Sequence, residues 1–245
     1  MTVGWWDTVP HHVLTLIGLR RNIECHSQMS INHRVTEQAK QIAPGRRERR
    51  RAETREKLYR AAMRLFAEHG FFETTTEEIT EAADVGQGTF FNYFPTKQHV
   101  LTVLSEKQFE KVMAAREEAV AGNASMEEVL HRLMHRIAEE PGRSRALTRS
   151  LMTALISSDA VRELVGCTMA RGREVMSEIV TLGQKRGEIR DDRRPIEVAM
   201  AFQRSVIGTL LLWAMQVEGD LHAWLEATFR DFWASVHRER DAPST

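Results

Sequence analysis

TTEEITEAADVGQGTFFNYFPTK, running from Thr75 to Lys97, is the stretch whose reading decides the fold. Thr75 followed three residues later by Glu78 is a capping box, in which hydroxyl and carboxylate each satisfy a backbone N–H left over at a helix start. A helix is therefore expected from Thr76. Ile79, Ala82 and Ala83 fall at i, i+3 and i+4, a narrow apolar stripe whose small side chains let another helix come close. Asp84-Val85-Gly86 ends it, because Asp tolerates the left-handed conformation a turn needs and Gly opens the next helix without steric cost. That next helix is short, Gln87 to about Asn92. It buries Phe90 and offers Gln87, Gly88, Thr89, Phe91 and Asn92 on its other faces, beside a positively polarised N-terminus that suits phosphate. Two short helices joined this way are helix-turn-helix geometry.

Upstream, a helix is expected from near Thr54 to His69, with Leu58, Ala61, Ala62, Leu65 and Phe66 on one face, stopped by Gly70. Phe71 and Phe72 pack the corner that follows. Taken together, TREKLYRAAMRLFAEHGFFETTTEEITEAADVGQGTFFNYFPTKQHVL, Thr54 to Leu101, resembles the DNA-binding domain of the TetR/AcrR family of bacterial transcriptional regulators. Three parts in register carry the resemblance: LFAEHGF, then T-T-x-E-E-I, then V-x-x-G-T-F-F-x-Y-F-x-x-K. The chain departs from the family pattern at Asp84 (commonly Gly), Gly86 (commonly Ser or Thr), Thr80 (commonly Ala) and Phe91 (commonly Tyr). The last change removes a hydroxyl that relatives aim at DNA, so base readout must lean on other groups.

The resemblance implies roles for particular residues. Lys97 matches the family's phosphate-contacting lysine, and Tyr93 and Thr75 match positions whose hydroxyls reach the DNA backbone. Gln87 and Thr89 lie where base edges are expected, and a glutamine can pair in bidentate fashion with adenine. It further implies a homodimer formed by the last two helices, an operator that is an inverted repeat, and a small-molecule effector held between the middle helices. Candidate effector anchors are His135, Arg149, Thr153, Cys167, Arg171 and Gln203.

Charge supports a nucleic-acid partner. The 245 residues are formally neutral, but residues 46 to 64 hold nine Lys/Arg (Arg46, Arg47, Arg49, Arg50, Arg51, Arg55, Lys57, Arg60 and Arg64) against Glu48, Glu53 and Glu56. This block is net +6 and the remainder net −6. A localised basic block directly before a helix-turn-helix is the footprint of a phosphate-facing surface. Arg46 to Arg51 are expected to precede the first helix as an arm.

Residues 1–45 carry few organised signals and are expected to be a disordered or loosely helical extension. Val13 to Leu19 is mostly apolar but has neither a basic region before it nor a small-residue cleavage site after it, which argues against a signal peptide. A start at Met29 or later would give an arm of ordinary length for the family. Cys25 and Cys167 have no C-x-x-C partner, so no disulfide framework or zinc site is expected and a reducing cytoplasm fits.

Downstream, Thr96 is the expected N-cap of a long helix from Lys97 to near Ala121, ended by Gly122-Asn123. Ser125 and Glu128 form a second capping box, opening a helix closed by Pro141-Gly142. Helices follow from about Arg145 to Ile156, from a Ser158 cap to about Arg186-Gly187, and from Pro195 through Ser205–Met215, a run too short to span a bilayer. A last helix carries Leu221, Trp224, Leu225, Phe229, Phe232 and Val236. No strand pattern appears. The expected fold is all-α: a helix-turn-helix head over residues 46–100 and an effector-binding, dimerising body over residues 101–240. His131 and His135 share a helix face, but no third ligand is visible at supporting spacing, and no metal or other cofactor is expected. Without a Gly-rich phosphate loop, a G-x-S-x-G elbow or an H-E-x-x-H motif, an enzyme is not expected.

Overall fold

The computed structural model describes residues 45–238; the expectations for Val13–Leu19, Cys25 and the rest of residues 1–44 lie outside the described residues. The chain divides into two compact units, residues 1–52 and 53–245. Of the first unit, residues 46–52 are the opening turns of α1 (Arg46–Glu68), where the Gly45 N–H is bound by the Glu48 carboxylate at 3.0 Å and Arg46, Arg47, Arg49, Arg50 and Arg51 are all exposed. The expected arm is therefore helix, beginning eight residues before Thr54. Arg, Glu and Ala are strong helix formers, and no Gly or Pro after Gly45 interrupts them.

The rest of the chain winds through α2 (Thr76–Ala82), α3 (Gln87–Phe91), α4 (Val100–Ala121), α5 (Met126–Glu139), α6 (Arg145–Ser157), α7 (Asp159–Lys185), α8 (Pro195–Met215) and α9 (Leu221–Val236). Among the described residues there is no strand; one isolated bridge pairs Ile189 with His237. Both capping boxes form, Thr75 with Glu78 and Ser125 with Glu128. Ser144, Ser158 and Asp220 cap α6, α7 and α9. Asp84 takes the left-handed conformation expected of the turn, with φ 53°. Thr96 differs from expectation. Its hydroxyl meets His99 Nδ1 at 2.9 Å instead of a backbone N–H, and a 3-10 turn, Lys97–His99, precedes α4.

Two buried clusters hold this unit together. One is the body core, built on Leu130, Leu133 and Met134 of α5, Ile179 and Val180 of α7, Phe202 and Val206 of α8, and Phe229 and Phe232 of α9. The other starts in the head with Leu58, Phe66, Phe71, Ile79, Phe90 and Phe94, continues through Val100, Leu101 and Val103, and ends on Leu147, Leu151, Val161 and Val165 of α6 and α7. Packing thus runs without a break across residue 100. Ion pairs Arg55–Glu106 and Lys107–Glu56, at 2.8 and 2.9 Å, clamp α1 to α4.

α8 is long and apolar enough, by length and composition, to cross a membrane. Val198, Ala199, Phe202, Val206 and Leu210 nonetheless face the body core, which is what the central helix of a folded body does. Its outer side is apolar too: Met200, Leu212 and Met215 are 42%, 53% and 67% exposed.

Candidate DNA-reading head and effector cavity

The head presents α3 on a two-helix platform. Phe90 is fully buried in the cluster that holds Leu58, Phe66 and Phe94, with ring contacts to Phe91 and Phe94 at 5.5 and 5.6 Å. Fixing that one side chain turns Gln87, Gly88 and Asn92 outward; all three are exposed, and Phe91 is 52% exposed. Nothing lies within 4 Å of where a Gly88 side chain would begin, so its exposed face lets another backbone approach closely. Thr89 and Tyr93 are half-buried.

Several sequence candidates are already engaged within the chain. The Gln87 amide donates to the Glu77 carboxylate, tying the start of α3 to the first turn of α2. Hydrogen bonds from its own backbone and from Thr76, with Gln87 adding to them, hold the Glu77 carboxyl below the usual range. The Thr75 hydroxyl accepts from the Glu78 N–H and donates to its carboxylate, at 3.2 and 3.1 Å. Arg55 pairs with Glu106 and lies 5.8 Å over the Phe94 ring.

Lys97 is the clearest departure from an open phosphate contact. Its ammonium donates to the carbonyls of Phe72 and Thr74 at 3.0 and 2.6 Å, and sits 5.0 Å from the Phe71 ring. The 3-10 turn swings this side chain back over the corner after Gly70, where those carbonyls have no helical partners. Burial lowers its pKa against the opposing pull of Glu73 and Glu78. Two of its three N–H donors are occupied by the protein.

The body holds a cavity of about 230 Å³ between α4, α5, α6, α7 and α8. Its wall is mainly Leu, Val, Ile, Met and Phe, with Met152, Met169 and Met176 supplying adaptable surface. A few polar groups interrupt it. Arg173 donates to Gln203 Oε1 at 3.2 Å, and the buried Gln108 Oε1 has no hydrogen-bond partner.

Of the six effector anchors expected from sequence, Gln203 lines this cavity. The other five do not, each for a visible reason. Arg149 donates to the Ala214 carbonyl at 2.8 Å, capping the C-terminal end of α8 where cations are favoured. Arg171 lies 4.4 Å over the Phe109 ring. Thr153 and Cys167 are exposed, and His135 faces α9 instead. Arg173 and Gln108 line the cavity without having been expected there. The signal that could have found Arg173 is an arginine continuing an apolar row on one helix, Val165, Met169, Arg173, Met176.

A helix-turn-helix head packed through a shared cluster onto a helical body with an apolar chamber is the architecture of a DNA-binding regulator. Residues 58–104 match the family described as bacterial regulatory proteins, tetR family. The HTH-type transcriptional regulator TcmR of Streptomyces glaucescens is 28% identical over 189 residues, covering 74% of this chain and 81% of that one. The Thermus thermophilus FadR structure, a repressor in complex with lauroyl-CoA, is 30% identical with TM-score 0.53, covering 78% of this chain and all of that one. Bacillus subtilis FadR in complex with stearoyl-CoA has the same fold, with TM-score 0.63 at 20% identity over 74% of this chain and 99% of that one. The chain belongs to the TetR family. It is a DNA-binding transcriptional regulator and not an enzyme.

Proposed function

We propose that this protein is a cytoplasmic, homodimeric repressor of an inverted-repeat operator, released when a fatty acyl chain with a polar carbonyl end enters the body cavity. One observation carries the reading: Leu101, Leu151, Val161 and Val165 line the cavity and also belong to the cluster that holds the head together. An effector there touches the same side chains that set the position of α1 to α3. The chamber suits a hydrocarbon, since its wall is apolar over most of its area, and the Arg173–Gln203 pair with Gln108 suits a carbonyl or carboxylate at one end. The acyl-CoA complexes of the two FadR relatives support this choice of chemistry.

On the DNA side, Gln87, Gly88, Thr89, Phe91 and Asn92 are the proposed groove-facing residues. Thr75, Tyr93, Lys97, Arg46, Arg47, Arg49, Arg50, Arg51 and Arg55 are the proposed phosphate-facing ones. To read a base, the Gln87 amide exchanges its Glu77 partner for a base edge, and Lys97 offers its remaining donor. Phosphate contacts hold the register and α3 supplies the discrimination.

Selection of bound sequences from random DNA, followed by anisotropy titration with lauroyl-CoA, tests the reading. A two-fold symmetric site from which lauroyl-CoA releases wild type, and from which Arg173→Met requires about tenfold more ligand, is the expected result. Sites lacking symmetry, or operator binding unaffected by acyl-CoA, would refute it.

A further inference from the structure

On the side of α5 away from the cavity, two side chains meet two more from α9. His131 and His135 are one turn apart on α5; His222 and Glu226 are one turn apart on α9. All three imidazole Nε2 atoms converge on a single carboxylate oxygen, Glu226 Oε1, at 2.8 Å from His131, 2.9 Å from His135 and 3.9 Å from His222. The rings are layered, with 4.7 Å between centroids for both the His131–His135 and the His135–His222 pairs. Phe229 closes one side, edge-on to His131 at 4.9 Å.

Ordinary ion pairing accounts poorly for this arrangement. His131 makes a directed hydrogen bond to Glu226, but His135 Nε2 is buried and has no hydrogen-bond partner despite its short approach to the same oxygen. A buried polar nitrogen without a directed partner is costly. Three imidazolium charges this close would repel one another, and one carboxylate offsets one of them. Imidazole nitrogens grouped around one carboxylate suit a borderline transition metal, whereas calcium and magnesium take sites made of oxygen atoms.

The spacing fits as well. Bonds of about 2.0–2.1 Å in a tetrahedron place its corners about 3.3 Å apart, between the 2.8 and 3.9 Å found here. The ligand atoms of His131, His135 and Glu226 all lie within 4.8 Å of one another. We propose that His131, His135, His222 and Glu226 form a binding site for a divalent transition metal of the zinc class that staples α5 to α9. The ion takes the place of the proton in the His131–Glu226 hydrogen bond and gives His135 Nε2 its partner. Leu133 and Ile137 of the same helix line the effector cavity, so metal and effector grip α5 from opposite sides.

The test uses untagged full-length protein stripped with EDTA. Calorimetric zinc titration should give one strong site per chain, cobalt should produce the visible bands of a tetrahedral nitrogen–oxygen site, and zinc should raise the unfolding temperature. His135→Asn and Glu226→Gln should each weaken zinc binding by at least about tenfold and abolish the cobalt bands. His131→Asn/His222→Asn, which leaves Glu226 in place, is the second variant should Glu226→Gln fail to fold. The chain has other histidines and Cys25 and Cys167. Retention of full zinc stoichiometry and affinity in the folded variants would assign binding to those residues and overturn the proposal, as would a wild type that takes up no zinc at micromolar concentration.

Discussion

Replacing Lys97 with Ala should do two separable things. The ammonium donates to the Phe72 and Thr74 carbonyls and sits over the Phe71 ring, so the substitution removes two charge-assisted hydrogen bonds and a cation–π contact. Hydrogen bonds to charged groups contribute about 1.5–3 kcal/mol each when buried. Lys97 is half-exposed and water can replace part of that stabilisation, which brings the expected total to about 2 kcal/mol. In a fold of this size that corresponds to a fall of about 4–8 °C in unfolding temperature. The same substitution removes one proposed phosphate-binding cation per subunit, so the slope of log K against log salt should fall by about 0.9 for each phosphate no longer neutralised, on every DNA sequence alike. Calorimetry without DNA and anisotropy titrations across a salt series read the two effects independently. An unchanged unfolding temperature would refute the carbonyl anchor; a lowered temperature with an unchanged salt slope would refute the phosphate contact.

Gly183 lies where an added Cβ would stand 2.6 Å from Ile189 and 2.8 Å from Met126, both fully buried, so Gly183→Ala should cost about 1–3 kcal/mol and lower the guanidinium midpoint; an unshifted midpoint would show that this corner yields. Leu212→Glu or Met215→Glu, on the outer apolar side of α8, should convert a dimer to folded monomers in sedimentation, and an intact dimer would move the interface elsewhere. Hydrogen bonds from the Thr75 and Ser125 backbones hold the Glu78 and Glu128 carboxyls below the usual 4.5. The unfolded chain therefore takes up protons first on acidification, and the two boxes add stability above that pH and lose it as pH falls through the lowered folded values. Glu78→Gln/Glu128→Gln should flatten the fall in unfolding temperature from about pH 5 to about pH 3; a parallel slope would mean that other carboxylates dominate.

The elements legible in the sequence are those whose cause is local. Capping boxes, the Asp84 turn and the Phe90 anchor depend on residues within a few positions of one another, and they stand where the pattern puts them. The start of α1 differs because a charge run suggests an arm, although its residues are good helix formers. Side-chain partners across the fold are hidden for the same reason in reverse. Nothing near Arg149 in sequence announces the Ala214 carbonyl 65 residues on, and nothing near His131 announces Glu226. The third ligand that the His131–His135 pair lacks in one dimension arrives from a helix 95 residues later. Cavity linings are equally non-local, which is why the apolar character of the chamber is foreseeable and its polar anchors, apart from Gln203, are not.

The route from cavity to head sets a quantitative demand on the effector. To move a regulator from mostly DNA-competent to mostly incompetent, 1:99 to 99:1, a ligand must prefer one state by about 5.5 kcal/mol. Burial of a methylene contributes about 0.8 kcal/mol, so the difference amounts to about seven methylenes held in one state and released in the other. Leu101, Leu151, Val161 and Val165 are the surfaces on which that difference can act, because moving them moves the core beneath α3. Acyl chains much shorter than this should enter without switching, whereas chains long enough to reach the α4–α6–α7 end should release DNA. Across a series from butyryl- to palmitoyl-CoA, release should thus appear abruptly with length while binding strengthens gradually. If release instead tracks affinity smoothly from the shortest chain, the shared wall is not the element through which the effector acts, and polar contacts at Arg173 and Gln203 must carry the signal.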